Sequence, residues 1–296
     1  MSKIWVEANG IGQLLADDSP VAGMSDRGFA YGDGLFETIR ISKGEPLFLA
    51  RHLQRLLDGL EQLTFPSVWN AGMLIERSRN LIHENNVSEG ILRLVVSRGG
   101  GPRGFEPPAS AHPSLFIQAF NTPSPVGALT DGRGDQGVRA ILVPWKADPS
   151  SPLCYLKHLS ALDKVLAQKN AKLAGADEAL LQNINGHLTE ATSSNLFLVV
   201  GGQILTPALR CGLLSGVARG LLLETSPRRI VETEIPITIL AEAGEAFLTN
   251  VVVGVRPLVR VGSQVIGNGE PGPITQMMAE HYQGLCAQAA QGKPDV

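Results

Sequence analysis

The sequence predicts an α+β protein of two domains, because strands and helices mix without strict βαβ alternation in the first half and short strands dominate the second. The chain has 296 residues, which at roughly 150 residues per domain corresponds to about two domains. Residues 121–137 are rich in proline, glycine and aspartate and are predicted to be a linker. We therefore expect a small α+β domain over residues 1–120 and a larger, barrel-like domain over residues 138–296.

Composition narrows the possible partners. Hydrophobic residues make up 44% of the chain and charged residues 18%, which is ordinary for a globular protein. The 25 basic residues nearly balance the 28 acidic ones, giving a net charge of −3 that offers no global attraction for nucleic acid or an acidic membrane. A small-molecule partner is the expectation.

Cysteine usage and the chain's opening bear on localisation. The three cysteines, Cys154, Cys211 and Cys286, form no CxxC pair and cannot all be paired within one chain, so a reducing, cytoplasmic setting is expected. The first residues do not resemble a signal peptide, and no apolar run is long enough for a bilayer. The six histidines share no metal-ligand spacing, so no metal site is expected.

In the first half, the Asn9-Gly10 dipeptide predicts a hairpin turn after a strand at Ile4 to Glu7. A strand at Leu35 to Ile41 turns at Lys43-Gly44. Leucines then recur at helical spacing in a helix beginning near Arg51. The remaining predicted elements are a helix over 71–84 and strands over 91–97 and 114–120.

The second half opens with a strand over 138–143, followed by a helix after Ser160, where Ser160 and Asp163 have the spacing of a capping box and Gly175 ends the helix. Many short strands joined by tight turns then predict a barrel-like domain. The predicted strands are 178–182, 187–191, 196–200, 203–206 and 245–249, with helices over 216–224 and 274–288.

Taken one at a time, the charged residues of the chain do not identify a functional site. Arg55 has the i, i+3 spacing to pair with Asp58 on its own helix, and Glu190 reads as a strand carboxylate. Lys157 lies between an irregular apolar segment and a helix, where a lysine held in an apolar pocket could form an imine. The segment GLLSGVAR, residues 212–219, places a loop before a helix start that favours an anion.

Six sequence blocks, taken in their order along the chain, are more specific than any single charged residue. They are DRGFAYGDGLFETIR (26–40), RHLQRL (51–56), KHLSALDKVLA (157–167), ADEALLQNINGHLTEATSSNLF (176–197), GLLSGVAR (212–219) and FLTNVVVGVRPL (247–258). Together they resemble the fold-type IV pyridoxal-phosphate enzymes, which include branched-chain and D-amino-acid aminotransferases and 4-amino-4-deoxychorismate lyases. The resemblance implies a small α/β sandwich and a larger pseudo-barrel domain. Three features most resemble the lyases of folate biosynthesis: SRGGGPRG (97–104), KHLS followed by LD, and the asparagine-containing TNVVVGVRP (249–257).

The resemblance also implies a site. Lys157 would form an imine with pyridoxal 5'-phosphate, Glu190 would pair with its ring nitrogen, and Arg55 would bind its phosphate. Backbone N–H groups would assist at two places, Gly216 with Val217 and Val251 with Val252. The site would thus draw residues from both halves of the chain, in a cleft between the two domains. A homodimer is implied as well.

For the lyase, the resemblance implies that Lys157 removes the proton on the amine-bearing carbon of aminodeoxychorismate. Thr38 would relay a proton to the leaving enolpyruvyl group or orient the lysine, and both roles stay open. Arg93 and Arg103 would meet substrate carboxylates, with Tyr31 joining them in substrate binding.

Some positions depart from the family pattern. Ser160 stands where the lyases often have asparagine, and valines at 251 and 252 replace smaller or polar residues. Arg256 stands where relatives are apolar or aromatic, and its role is open. Two other readings remain: an aminotransferase acting on D-amino or branched-chain amino acids, and a non-catalytic protein that keeps the scaffold.

Overall fold

The computed structural model describes residues 2–122 and 137–292, which divide into two compact units. The first unit contains residues 2–122, Leu156–Ser160 and 287–292, and the second contains 137–155 and Ala161–Cys286. The predicted linker, 121–137, lies almost wholly outside the described residues. The expected second domain, 138–296, differs from the second unit because Leu156–Ser160 and the described end of the chain cluster with the first.

One antiparallel sheet organises the first unit. In the described ranges its six strands have the order β2-β1-β6-β5-β3-β4. Their bounds are β1 Lys3–Ala8, β2 Ile11–Ala16, β3 Gly34–Ser42, β4 Glu45–Pro46, β5 Gly90–Ser97 and β6 Ser114–Asn121. Positive φ angles of 53° at Asn9 and 75° at Gly10 confirm the predicted hairpin turn.

Helices α1 (Arg27–Tyr31), α2 (Leu49–Gln62) and α3 (Ala71–Glu84) belong to the same unit. The leucine stripe of α2 is buried against β3, with Leu53 fully covered, so the predicted helix face is confirmed. α2 begins two residues before the predicted start at Arg51, whereas α3 has the predicted bounds. Helix α1 has only 5 residues, too few to show a period, and escaped prediction.

The second unit contains the remaining described elements. Its strands are β7 Val138–Ala147, β8 Glu178–Asn183, β9 Leu188–Ala191, β10 Asn195–Val200, β11 Gln203–Pro207, β12 Ile230–Thr233, β13 Glu245–Asn250, β14 Gly254–Val261 and β15 Gln264–Val265. Its helices are α4 Leu162–Leu173, α5 Val217–Thr225 and α6 Pro273–Ala289, the last of which runs past the unit's end at Cys286.

Six of these strands close into a barrel in the order β10-β13-β14-β7-β8-β9 and back to β10. The closing seam consists of one pair, Glu190 on β9 and Asn195 on β10. Apolar side chains such as Leu180, Leu196 and Leu248 fill the barrel core. The predicted α+β fold with a pseudo-barrel domain is therefore confirmed.

The capping box predicted at Ser160 is wrong. Helix α4 begins at Leu162, its N-cap is Ala161, and no side chain caps it. The Ser160 hydroxyl instead donates to the carbonyl of Tyr31 at 3.4 Å. Leu156–Ser160 runs beside β3, which directs this serine to the end of α1.

No helix in the described part of the chain is both long and apolar enough to cross a membrane.

Because Leu53 is fully buried in the first core, Leu53→Ala should lower the free energy of unfolding by roughly 2–5 kcal/mol through lost burial and a residual cavity. Urea unfolding followed by circular dichroism measures this change. Glu61→Ala, at an exposed position of the same helix, should stay within about 0.5 kcal/mol of the parent. Equal effects of the two substitutions would contradict the assignment of the α2 core face.

Candidate active site

Lys157 lies beside strand β3. The Phe36 N–H donates to the Lys157 carbonyl at 2.9 Å, and the Leu159 N–H donates to the Gly34 carbonyl at 3.0 Å. This pairing brings the half-buried Lys157 amine to 4.6 Å from the centre of the Phe36 ring. The lysine predicted in the second domain is thus held by the first unit's sheet.

Thr38 and Arg93 share the face of the sheet that Phe36 occupies. Successive side chains of a strand alternate between faces, so Phe36 and Thr38 point the same way. Thr38 is paired with Arg93 on β5, and the Arg93 guanidinium lies 4.8 Å from the Phe36 ring centre. The structure therefore brings the predicted residues Lys157, Thr38 and Arg93 to one sheet face around a common aromatic ring.

Arg55 is held from the other face of the same strand. Its Nε and Nη2 atoms donate to the two carboxylate oxygens of Glu37 at 2.8 and 2.7 Å. His52 Nδ1 lies 2.7 Å from the same carboxylate. The suggested pairing of Arg55 with Asp58 gives way to this contact, and Asp58 accepts from Gln54 instead.

The Glu37 carboxylate is buried yet charged. Burial raises the pKa of Glu37, but the Arg55 charge and hydrogen bonds from His52 and Arg55 outweigh it and lower the pKa to about 2. Burial, with help from the Arg55 and Lys157 charges, lowers the pKa of His52 despite its contact with Glu37. The imidazole is therefore neutral, and its Nδ1–H donates to the carboxylate.

Tyr31 and Arg103 meet through a loop. Arg103 is exposed on the segment after β5, whose Gly104 N–H donates to the Tyr31 hydroxyl at 3.0 Å. The buried Arg27 side chain donates to the Gly104 and Phe105 carbonyls at 3.0 and 3.2 Å. Tyr31 thus contacts the loop that carries Arg103, and Arg27 fixes that loop.

Glu190 stands at the closing seam of the barrel in the second unit. One carboxylate oxygen accepts from Lys164 Nζ at 2.7 Å, and the other accepts from the Leu214 N–H at 3.2 Å. Its seam partner Asn195 donates to the Leu214 carbonyl at 2.9 Å. Both polar groups of Leu214 are therefore held by the seam, which fixes the loop before α5.

The start of α5 suits an anion. Gly216 is its N-cap, no side chain caps the first turn, and Val217 is the first helical residue. A Cβ at Gly216 would lie 2.0 Å from Asn195 Oδ1, so only glycine allows this close approach. The two predicted backbone donors, Gly216 and Val217, thus stand at an uncapped helix N-terminus.

The second predicted backbone pair needs a correction. Asn250 Oδ1 accepts from the Val252 and Val253 N–H groups at 2.9 and 2.8 Å. The Val252 N–H is therefore already engaged, because the asparagine side chain closes the turn. Val251 remains the candidate donor of this segment. Arg256 follows on β14 opposite Leu248, and its role stays open.

Sequence reasoning missed several polar partners. Glu37, Asn195 and Lys164 were not singled out, although they contact predicted site residues. A signal existed for Glu37, since it alternates in phase with the apolar residues Leu35 and Ile39 of β3. A carboxylate at a core-facing position requires cationic or hydrogen-bonding partners. Asn195 and Lys164 gave no comparable local signal.

Comparison with known proteins places the chain in a family. A family model described as amino-transferase class IV matches residues 34–261. The chain therefore belongs to the class IV aminotransferase family, whose members are pyridoxal 5'-phosphate enzymes. It is a pyridoxal 5'-phosphate-dependent enzyme of fold-type IV.

Individual relatives carry different activities. A Methanocaldococcus jannaschii protein named provisionally as a branched-chain-amino-acid aminotransferase is 30% identical over 278 residues, covering 93% of this chain and 94% of the relative. The D-alanine aminotransferase of Bacillus licheniformis is 30% identical over 269 residues, covering 90% and 92%.

Solved structures similar to this chain likewise include enzymes with different activities. The branched-chain amino acid aminotransferase of Escherichia coli superimposes with a TM-score of 0.88 at 25% identity, covering 96% of this chain and 94% of that one. The 4-amino-4-deoxychorismate lyase of Pseudomonas aeruginosa superimposes with a TM-score of 0.77 at 32% identity, covering 95% and 98%.

The described residues fit the cofactor. The first unit includes an amine at Lys157 and a guanidinium at Arg55, and the second includes a half-buried carboxylate at Glu190. The uncapped start of α5, with Gly216 against Asn195, adds backbone donors of the kind that bind phosphate. These are the kinds of group that form an imine, pair with a ring nitrogen and bind a phosphate.

The low pKa of Glu37 predicts how stability depends on pH. Because the native state keeps this carboxylate ionised down to about pH 2 while its ordinary pKa is 4.5, its stabilising contribution is complete above 4.5 and is lost as the pH falls toward 2. Urea midpoints measured from pH 7 to 3 should therefore fall less steeply for Glu37→Gln than for the parent. Glu76→Gln, at an exposed position of α3, is the matched control and should keep the parental slope. Identical slopes for all three proteins would contradict this account.

Proposed function

We propose that this enzyme is a lyase that converts 4-amino-4-deoxychorismate into 4-aminobenzoate and pyruvate, a step of folate biosynthesis. The Pseudomonas aeruginosa lyase is 32% identical over nearly the full length of both chains, and a second structure, named provisionally as a lyase of the same kind from Legionella pneumophila, is 28% identical. The blocks 97–104 and 157–163 add the sequence features that most resemble these lyases. The proposal includes a cytoplasmic homodimer.

The observation that carries the proposal is the placement of the Thr38 hydroxyl on the sheet face that bears Lys157. An elimination needs a base for the proton that leaves carbon and a proton donor for the departing oxygen. The Lys157 amine lies over Phe36 on a segment that pairs with β3, and Thr38 lies two residues along β3, so the sheet holds a base and a hydroxyl on one face. A strand positions such groups more firmly than a loop would.

The roles of the side chains follow from this arrangement. Bound pyridoxal 5'-phosphate supplies an electron sink for the carbon that carries the substrate's amine. The Lys157 amine takes the proton from that carbon, and the carbon–oxygen bond to the enolpyruvyl group breaks as the ring becomes aromatic. Thr38 donates or relays a proton to the departing oxygen, and the released enol becomes pyruvate. Arg93 and Arg103 hold the two substrate carboxylates, and Tyr31 supports the Arg103 loop.

Cofactor binding is proposed to use the other predicted groups. Arg55, oriented by Glu37, binds the phosphate together with the N–H groups of Gly216, Val217 and Val251. Glu190 pairs with the ring nitrogen. The neutral His52 keeps its partner Glu37 in place without adding a second positive charge next to Arg55.

An aminotransferase acting on D-amino or branched-chain amino acids is the second candidate. The full-length similarity to the Methanocaldococcus and Bacillus proteins favours it, because both are 30% identical to this chain. An aminotransferase would convert the enzyme to its pyridoxamine form with an amino acid and release a keto acid. Comparing kcat/KM for the two reactions decides between the candidates.

Purified enzyme loaded with pyridoxal 5'-phosphate should form 4-aminobenzoate and pyruvate in equal amounts from 4-amino-4-deoxychorismate. Its kcat/KM for this substrate should exceed that for D-alanine, leucine or valine with a keto acid by at least about 100-fold, the discrimination that specific polar contacts provide. Failure to form 4-aminobenzoate under conditions where an authentic lyase does so would refute the lyase assignment.

Thr38→Val should lower the lyase kcat by about 10²- to 10⁴-fold, because the proton donor to the departing oxygen is lost while the side chain keeps its shape. Thr38→Ser, which keeps the hydroxyl, should retain most of the parental rate. Stopped-flow measurement of 4-aminobenzoate fluorescence gives both rates. Parental activity in Thr38→Val would show that the Thr38 hydroxyl has no role in the mechanism.

Lys157→Ala should abolish both product formation and the yellow colour of the bound cofactor, since the imine-forming amine is absent. Borohydride reduction followed by peptide mass mapping checks the attachment point. A reducible cofactor adduct at the same place in Lys157→Ala would show that another amine forms the imine. Lys169→Ala, an exposed lysine on α4, is the control and should remain yellow and active.

A further inference from the structure

Glu190 already has an ionic partner. Lys164 on α4 donates to one carboxylate oxygen at 2.7 Å, and the Leu214 N–H donates to the other at 3.2 Å. The Glu190 side chain is 13% exposed and that of Lys164 is 30% exposed, so water screens this ion pair only partly. The positive charge of Lys164 therefore lies next to the Glu190 carboxylate, a contact that the sequence motifs did not reveal.

The carboxylate still has room for a third donor. An ionised carboxylate offers about four acceptor positions on its two oxygens. Lys164 and Leu214 use one position on each oxygen. Acceptor positions therefore remain on the Glu190 carboxylate for a ring N–H. The three donors would then share one negative charge.

A cysteine thiol also lies near the Glu190–Lys164 pair. Within the described ranges, Cys154 lies close enough to feel both Glu190 and Lys164, and Asp148 and Asp163 act on the same thiol. Burial, and then the Glu190 charge, raises the pKa of the Cys154 thiol. Cys154 is therefore neutral, and Lys164 is the cation in contact with Glu190.

We propose that Lys164 is a positioning residue that shares the Glu190 carboxylate with the ring nitrogen of pyridoxal 5'-phosphate and so limits how completely that nitrogen stays protonated. This inference rests on the proposed pairing of Glu190 with the ring nitrogen. A carboxylate partly neutralised by an ammonium group stabilises a pyridinium proton less than a carboxylate that has no such partner. Lys164 thereby sets how strongly the ring withdraws electrons from the substrate carbon.

The test is the protonation of the ring nitrogen in the holoenzyme, read from the ¹⁵N chemical shift of cofactor labelled at that nitrogen. At a fixed pH, Lys164→Met and Lys164→Gln should each raise the ratio of protonated to unprotonated ring nitrogen by about tenfold, which corresponds to one pKa unit. Lys164→Arg retains the charge and should stay within about threefold of the parent. Lys169→Met, on the exposed face of the same helix, should leave the shift unchanged.

Glu190→Gln provides the reference, because removal of the carboxylate should move the ring nitrogen toward its unprotonated form. If Glu190→Gln has this effect and both neutral Lys164 variants match the parent, the inference about Lys164 is overturned. An unchanged shift in Glu190→Gln would overturn the pairing itself and the inference with it. Because this readout uses no substrate, its failure is separate from a failure to form 4-aminobenzoate. Circular dichroism of the Lys164 variants verifies that the barrel is intact.

Discussion

The barrel of the second unit is closed by one pair of residues, and the placement of that unit's candidate cofactor groups at Glu190 and at the start of α5 depends on this pair. Glu190 and Asn195 meet where β9 pairs with β10, and their side chains hold the N–H and the carbonyl of Leu214. The loop before α5 is thereby tied to the sheet through a single residue, Leu214. Because the Asn195 side chain approaches so closely, residue 216 must be glycine, and the N-terminus of α5 is left without a side-chain cap. The same pair of residues therefore closes the barrel and fixes a helix start of the kind that suits an anion.

In the first unit, successive side chains of strand β3 point to opposite faces of the sheet, and the two faces hold different candidate site residues. Phe36 and Thr38 face the lysine, whereas Glu37 faces α2 and holds Arg55. A buried carboxylate would be costly alone, and the bidentate arginine with the neutral His52 offsets that cost. The same arrangement fixes the direction of the guanidinium. A chain with net charge −3 can thus present a local cationic group without an attractive field over its whole surface.

The fold by itself does not select the reaction, because class IV enzymes with nearly the same backbone carry out transamination and elimination. In the proposed mechanism the choice depends on a few side chains at fixed positions, above all the hydroxyl of Thr38 and the guanidinium groups of Arg93 and Arg103. If Glu190 pairs with the ring nitrogen as proposed, its contact with Lys164 would add a further level of control over how much electron density the cofactor accepts. Individual side-chain contacts, on a backbone that the family shares, therefore determine which reaction this chain catalyses.

The sequence alone determined the elements with a strong local period or a distinctive turn: the Asn9-Gly10 hairpin, the leucine face of α2, the bounds of α3 and the succession of short strands. Ordered motifs also identified the family and gave Lys157, Glu190 and Arg55 as candidate cofactor-binding residues. The tertiary structure decided the rest. Ser160 does not cap α4, because pairing of its segment with β3 turns the hydroxyl toward Tyr31. The contacts of Glu37 with α2, of Asn195 with Leu214 and of Lys164 with Glu190 join residues that are 15 to 26 positions apart. Local spacing encodes helices and turns, whereas such contacts exist only after strand pairing and helix packing bring distant segments together.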